Sequence, residues 1–599
     1  MISRTLLPLF AAFLTGQIFF STAQAQKFPG EGWEEKPDVL VSEWAEPGGK
    51  FIEYASQFPK SFNYTIENNI FSRELFRLMF ETLLGTDPIT YEDTPSLARS
   101  WEISEDKLTY TFHLSPKAKW SDGKKLTSED VVWSFHAMKN PEHRTGSTQA
   151  IMARLIECKA LDEHTVQIKA NEVHWKNLIA ASSFRILPKH WWEKQDFNNV
   201  HFEFPVVSGP YRLGEVNQPH FARLEKRDDY WNGESPEMEG LLNFDTIEFR
   251  FYSNRDNAFE AFKKGDVDFF SVYTSNRWVK ETVGERFEKN WIAKQNIHNR
   301  QPIGFQGFAM NMRREPYDDK RVRKALAHLL DRKRMNNDIM HNQYDLTRSY
   351  WPDLYNKDHE CKNPQIDFDP ARAKELFNEA GWKQNPDTGK LEKDGKPFVI
   401  KFLTRDPSTN KFLLIYEEAL NDVGIELEID QKDWSGWAKD MDVFNYEMTW
   451  APWGAIPLKD AEPMWHSKTK DLKQGNNITG FADERVDKLI DQSRELFDVQ
   501  KRNELIREID AILVEETPYV LLWHIGHTRL LYWNKFGYPD HVLGSFQEEW
   551  AAKYYWWIDP DQEADLEDAR ANGTPLPKPP ERVYFDEVFT FPEKVEPVQ

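Results

Sequence analysis

The sequence predicts an α/β protein built as two or more lobes, and three observations carry that expectation. At 599 residues the chain is well past the length at which a single hydrophobic core stops growing. It is 40% hydrophobic and 14% aromatic, with 23 Trp, so it has apolar surface for several cores. Period-two strand segments alternate with helical segments along most of its length, the pattern of lobes with mixed sheets.

Taken in order, the first element is a leader. Arg4 precedes an apolar stretch from Leu6 to Phe20, and Ala23-Gln24-Ala25 is a small-x-small site, so residues 1–25 read as a secretory signal peptide cut before Gln26. Pro8, Gly16 and Gln17 interrupt a stretch already short for a membrane span, which disfavours an anchor. No Cys follows the small residues, so a freely diffusing protein of the periplasm is expected. That compartment permits disulfides, but Cys158 and Cys361 lie 203 positions apart and their pairing stays open.

Residues 107–114 place Leu108, Tyr110, Phe112 and Leu114 on one face of a strand. Thr127, with Asp130 three residues on and an apolar run behind it, starts a helix. A strand at 245–251 leads to a short helix carrying Ala258, Phe259, Ala261 and Phe262; Gly265 stops it and strand resumes at Val267, a β-α-β unit. A strand from Gly307 to Asn311 leads through Pro316 into an amphipathic helix with Val322, Ala325, Leu326, Leu329 and Leu330 at helical spacing. Asp369-Pro370 opens another helix that ends at Gly381, and Phe398 to Leu403 is again strand. Residues 558–599, acidic and Pro-rich from Thr574 to Pro580, read as an irregular surface tail.

Composition also excludes partners. With 76 Lys+Arg against 98 Asp+Glu, a net charge of −22 and no basic run of five, the chain is unsuited to nucleic acid or an anionic membrane. Catalytic signatures are missing too: there is no G-x-S-x-G, H-E-x-x-H, phosphate-binding glycine loop or C-x-x-C, and the 16 His are scattered, so neither a catalytic site, a metal nor a cofactor is expected. His524-Ile525-Gly526-His527 spells a synthetase nucleotide-binding tetrapeptide, but it follows a strand near the C-terminus with no partner loop, and reads as coincidence.

One long stretch carries a resemblance. Leu97-Ala98-Arg99-Ser100-Trp101, the strand to Leu114, Trp120-Ser121-Asp122-Gly123 and Leu126 to Phe135 together resemble the signature of the family 5 extracellular solute-binding proteins. Ser208-Gly209-Pro210-Tyr211, Arg227 to Trp231, Pro316 to Leu326 and Asp369 to Trp382 look like later family blocks in the expected order. Arg250 to Phe270 and Gln301 to Asn311 look like the Yej-type branch, whose members serve importers of oligopeptides and of microcin C.

The resemblance implies a two-lobed periplasmic binding protein, a non-enzymatic, monomeric receptor that delivers oligopeptides to an inner-membrane ABC permease. Residues 26–302 plus 524–599 would form the first lobe, with 61–200 as its extra subdomain, and 303–523 the second; hinges fall near 296–308 and 520–524. Cleft candidates are Trp434, Trp437, Trp450 and Trp453 as tolerant aromatic walls, with Tyr64 on a loop where the family lines its cleft. Many peptide receptors of the family place an acid shortly after a Trp to meet the peptide ammonium; here Asp460 is the nearest acid, displaced by three residues, with Glu46 as the first-lobe alternative. Other cargoes, an oligosaccharide or a metal chelate, and a secreted hydrolase are the competing readings.

Overall fold

Two sheets turn facing edges toward each other, and the chain crosses between those edges twice. The computed structural model describes residues 25–591 apart from 31, 32, 34 and 64–68. The body of the expected leader and Tyr64 lie outside the described residues.

The first lobe is organised by eight strands in the spatial order Arg582–Tyr584, Ile292–His298, Thr528–Trp533, Phe269–Ser271, Lys50–Ala55, Thr246–Phe251, Phe221–Lys226 and Tyr211–Asn217. Lys50–Ala55 runs parallel to Thr246–Phe251 and Phe269–Ser271, and Thr528–Trp533 runs antiparallel to both Phe269–Ser271 and Ile292–His298. Consequently Ala55, Phe251, Ser271, His298 and Thr528 all end on one edge.

The second lobe orders five strands as Glu426–Gln431, Val399–Thr404, Met448–Trp453, Phe305–Met310 and Tyr519–Leu521. The first three are parallel, and Phe305–Met310 is antiparallel to its two neighbours. Four strand C-termini and the start at Phe305 therefore share an edge, the place where α/β sheets hold ligands. Alternation fixes the two faces. Phe308 and Met310 pack with Val322, Leu326 and Tyr416, whereas Phe305 and Ala309 pack with Ile506, Ile509 and Leu513. Each such large side chain, removed from water, contributes about 1.5–3 kcal/mol.

A third, antiparallel sheet orders Gln26–Phe28, Ala98–Ile103, Thr109–Leu114, Thr165–Ala170 and Leu155–Asp162. Tyr110, Phe112 and Leu114 are its buried face, as the alternation predicts, while Leu108, expected on the same face, precedes the strand and is half-buried. Helix Ser128–Lys139 begins in a capping box made by Thr127 and Asp130, and Gly265 ends helix Arg255–Lys264 with φ 93°. Cys158 is buried and Cys361 half-buried, and both are free thiols. No described helix is long and apolar enough to cross a membrane.

The C-terminal tail departs from the expectation of irregular structure. Residues Pro560–Asn572 form a helix, capped by Asp559, begun by Pro560 and stopped at Gly573. It buries little beyond Leu566 and Ala569, so its apolar periodicity is faint while its caps are explicit. Arg582–Tyr584 then joins the edge of the eight-stranded sheet.

Candidate functional site

Between the facing edges lies a cavity of about 400 Å³. The first lobe supplies Ser271, Tyr273, Glu548 and Glu549; the crossing segments supply Gln301 to Gly304 and Ile525 to His527; the second lobe supplies Phe305, Gln306, Tyr344, Trp453 and Trp523. The crossing chain runs tight against the second lobe: a Cβ at Gly304 would stand 2.0 Å from the Trp453 carbonyl oxygen. Tyr344 Oη donates to the Tyr273 carbonyl at 3.0 Å, so the lobes touch across the cavity.

The walls mix aromatic surface with charge. Glu549 accepts from Ser271 Oγ at 3.1 Å and Tyr273 Oη at 2.6 Å, and Glu548 accepts from the Gln301 amide at 3.2 Å. Neither carboxylate forms an ion pair with a described residue. Burial first, and Glu549 next, raise the Glu548 pKa above the usual carboxylate value. His527 is pushed down to about 3, by burial and then by the charges of His298, Arg529 and Arg582, so it is neutral near pH 7. Burial lowers His524 likewise, and its Nδ1 lies 2.9 Å from Thr347 Oγ1.

The residues singled out from sequence occupy different places. Trp453 is half-buried in the cavity wall, its Nε1 donating to Tyr519 Oη at 3.1 Å. Trp450 stands behind that wall: its Nε1 donates to Gln306 Oε1 at 3.0 Å and its ring meets Trp523 edge-on, centroids 5.7 Å apart. Trp434 and Trp437 follow strand Glu426–Gln431 on the same edge but farther out. They stack at 5.5 Å with the Arg405 guanidinium over both rings, and Trp434 is 63% exposed.

Asp460 does not line the cavity. Its carboxylate is taken by Lys176, from the extra subdomain. The same loop sends the Trp175 amide to the Arg494 carbonyl at 3.0 Å, lays the Trp175 ring under Arg502 at 4.2 Å, and brings His174 to 3.5 Å from Glu462. These are contacts between the subdomain and the second lobe. Glu46 is exposed and precedes the Lys50 end of its strand, opposite the edge that faces the cavity.

Sequence reasoning missed Tyr273, Glu548, Glu549 and Arg529. It passed over His524 and His527 as parts of a coincidental tetrapeptide, which in the structure forms the second crossing. Their signal was position: a segment between two lobes has few other roles.

These features define a binding protein with a partly open interlobe site. The model of the bacterial extracellular solute-binding proteins, family 5 (middle), matches residues 93–474, and the chain belongs to that family. Within it the chain resembles the Yej type. It is 26% identical over 532 residues to a probable peptide-binding protein YejA of Agrobacterium fabrum, covering 80% of this chain and 85% of that one. Among solved structures it matches the oligopeptide-binding protein AppA of Bacillus subtilis in complex with a nonapeptide, with a TM-score of 0.66 and 22% identity over 86% of this chain and 100% of that one. NikZ of Campylobacter jejuni in complex with Ni(L-His) matches with a TM-score of 0.65 and 21% identity, covering 85% and 98%. The fold is that of two-lobed periplasmic binding proteins, and the chain is a binding component of the ABC-importer type, not an enzyme.

Proposed function

We propose that the chain is a periplasmic, monomeric receptor that captures oligopeptides in the interlobe cavity and hands them to an inner-membrane permease. The observation that carries the peptide reading is the composition of that cavity, where aromatic rings accept varied side chains, Gln301 and Gln306 suit amide groups, and Glu548 and Glu549, unpaired with any described cation, suit an ammonium. The crossing segments 299–304 and 525–527 act as the hinge between a lobe of about residues 26–302 plus 524–599 and one of about 303–523. In this reading Asp460 fastens the closed form and leaves the cargo ammonium to Glu549 and Glu548. Trp453 packs on the cargo, Trp450 supports it from behind, and the Trp434–Trp437 stack extends the wall outward.

The test pairs two measurements. Native mass spectrometry of protein purified without denaturation should find co-purified peptides. Melting temperature should rise with a peptide pool, by about 2.7 kcal/mol of added stability at a hundred times Kd. A rise with nickel–histidine or an oligosaccharide and none with peptides would transfer the site to that cargo.

A further inference from the structure

We infer that Arg529 is the anchor for an anionic group of the cargo, a carboxylate where the cargo is a peptide, an inference that rests on the receptor reading above. Arg529 is the second residue of strand Thr528–Trp533, directly after the second crossing, and it lines the cavity while only 2% exposed. Its contacts are all neutral. Nη1 donates to Tyr344 Oη at 3.4 Å, Nη2 donates to the Gln343 carbonyl at 3.1 Å, the Tyr344 ring lies 5.1 Å from the guanidinium, and Nε has no acceptor. No described carboxylate pairs with it.

Three other buried arginines, Arg323, Arg227 and Arg332, are more fully partnered, while Arg502, remote from the cavity, reaches among the described residues only the Leu496 carbonyl and the Trp175 ring. Arg323 reaches Glu516, Arg227 reaches Asp229 as well as three carbonyls, and Arg332, which lacks a carboxylate, is surrounded by four carbonyl oxygens. An enclosed guanidinium with two neutral acceptors and an unmade N–H is a costly arrangement unless an anion completes it. The nearest acids on the cavity wall, Glu548 and Glu549, form no ion pair with it. A second side chain points to the same ligand. His527, two residues earlier, lines the cavity and its Nε2 also lacks a partner. In the Nε2–H tautomer it offers a second donor, so one carboxylate can meet Arg529 through charge and His527 through a neutral hydrogen bond.

The experiment compares an oligoalanine pool with the same pool as C-terminal amides, by calorimetry on wild type, Arg529→Gln, Arg529→Lys and Tyr344→Phe. Wild type should prefer the free carboxylate by about tenfold or more, the usual weight of a charge-assisted hydrogen bond to a buried side chain. Arg529→Gln should bind both pools as wild type binds the amides, which also shows that it is folded; Arg529→Lys should keep part of the preference. Tyr344→Phe, which removes the contact between lobes but not the charge, should weaken both pools together and keep their ratio. A preference that survives Arg529→Gln, or no preference in wild type that binds both pools, overturns the inference while the peptide reading stands. If wild type binds neither pool, the peptide reading is what has failed. The same variants are then scored against the ligand found by mass spectrometry, and an uncharged ligand, or one that Arg529→Gln holds as tightly as wild type, overturns the anchor as well.

Discussion

Replacing Asp460 by Asn separates two roles that a cleft acid can have. Lys176 and Asp460 join the extra subdomain to the second lobe with side chains only 25% and 19% exposed, so the pair is better shielded than an ordinary surface ion pair, which is worth at most about 1 kcal/mol. Removing the carboxylate leaves the Lys176 ammonium partly covered and unpaired, and we expect a loss of about 1–2 kcal/mol from the closed form alone. If cargo is held only when the lobes are closed, the whole loss falls on affinity and Kd rises about 5- to 30-fold. Because the pair touches no cavity residue, free and N-acetylated peptides should weaken by the same factor. Calorimetry at fixed ionic strength reads both values, and the swapped pair Lys176→Asp with Asp460→Lys should recover part of the loss. A loss confined to free peptides would bring Asp460 to the cargo ammonium after all, and an unchanged Kd would remove the pair from closure.

Other consequences follow from the cavity wall. Trp453→Ala should weaken free, acetylated and amidated peptides alike, by about 2 kcal/mol or more, since it deletes an aromatic anchor and leaves Tyr519 Oη without its donor; unchanged affinity by calorimetry would take Trp453 out of the site. Glu549→Gln should weaken free peptides and spare N-acetylated ones. Because the Glu548 pKa is raised, the preference for a free ammonium should fade with falling pH sooner than an ordinary carboxylate would allow; a preference constant down to the usual carboxylate range refutes that role. His527 has a folded-state pKa of about 3 against about 6.5 unfolded, so the unfolded chain binds the extra proton and stability falls as pH drops below about 6.5. Its share by pH 5 is at most about 2 kcal/mol, reduced by solvent screening, and His527→Asn should lessen the acid sensitivity seen in urea unfolding at pH 7 and 5.

Much of the fold was legible because local signals and tertiary demand agree. The period-two pattern at Thr109–Leu114, the Thr127–Asp130 box and the Gly265 stop each became the element it forecast. The helix at Pro560–Asn572 was missed because acids crowd its solvent face, although its caps were written in the chain. The site was less legible for a different reason. Its wall draws on residues near positions 272, 303, 344, 453, 525 and 549, whose adjacency is decided by strand order in two sheets and by the closing of one lobe on the other. Trp453 was nominated together with Trp434, Trp437 and Trp450 as an aromatic wall, and of the four it is the one that lines the cavity, because it ends a strand on the edge that faces it. Glu548, Glu549 and Arg529 carry no local pattern, and Asp460 was nominated from proximity in sequence to tryptophans, which says nothing about the subdomain loop that meets it.

Two sets of contacts hold the lobes together, and they answer to different variables. Lys176 with Asp460 and Trp175 with Arg494 are complete without cargo. They bias the empty protein toward closure equally for every ligand. The cavity set is incomplete: closing on nothing encloses Arg529 and half-buries Glu549, neither with a described ion-pair partner, which opposes closure. A ligand shifts this equilibrium only by what it contributes to the closed state beyond the open one. Cargo with an ammonium and a carboxylate removes both penalties, whereas a neutral molecule of similar shape removes neither. Selectivity therefore resides in the charges the cavity leaves unsatisfied, and absolute affinity in the remote contacts. Substitutions in the subdomain loop should scale all dissociation constants together, and substitutions at Arg529 or Glu549 should change their ratios.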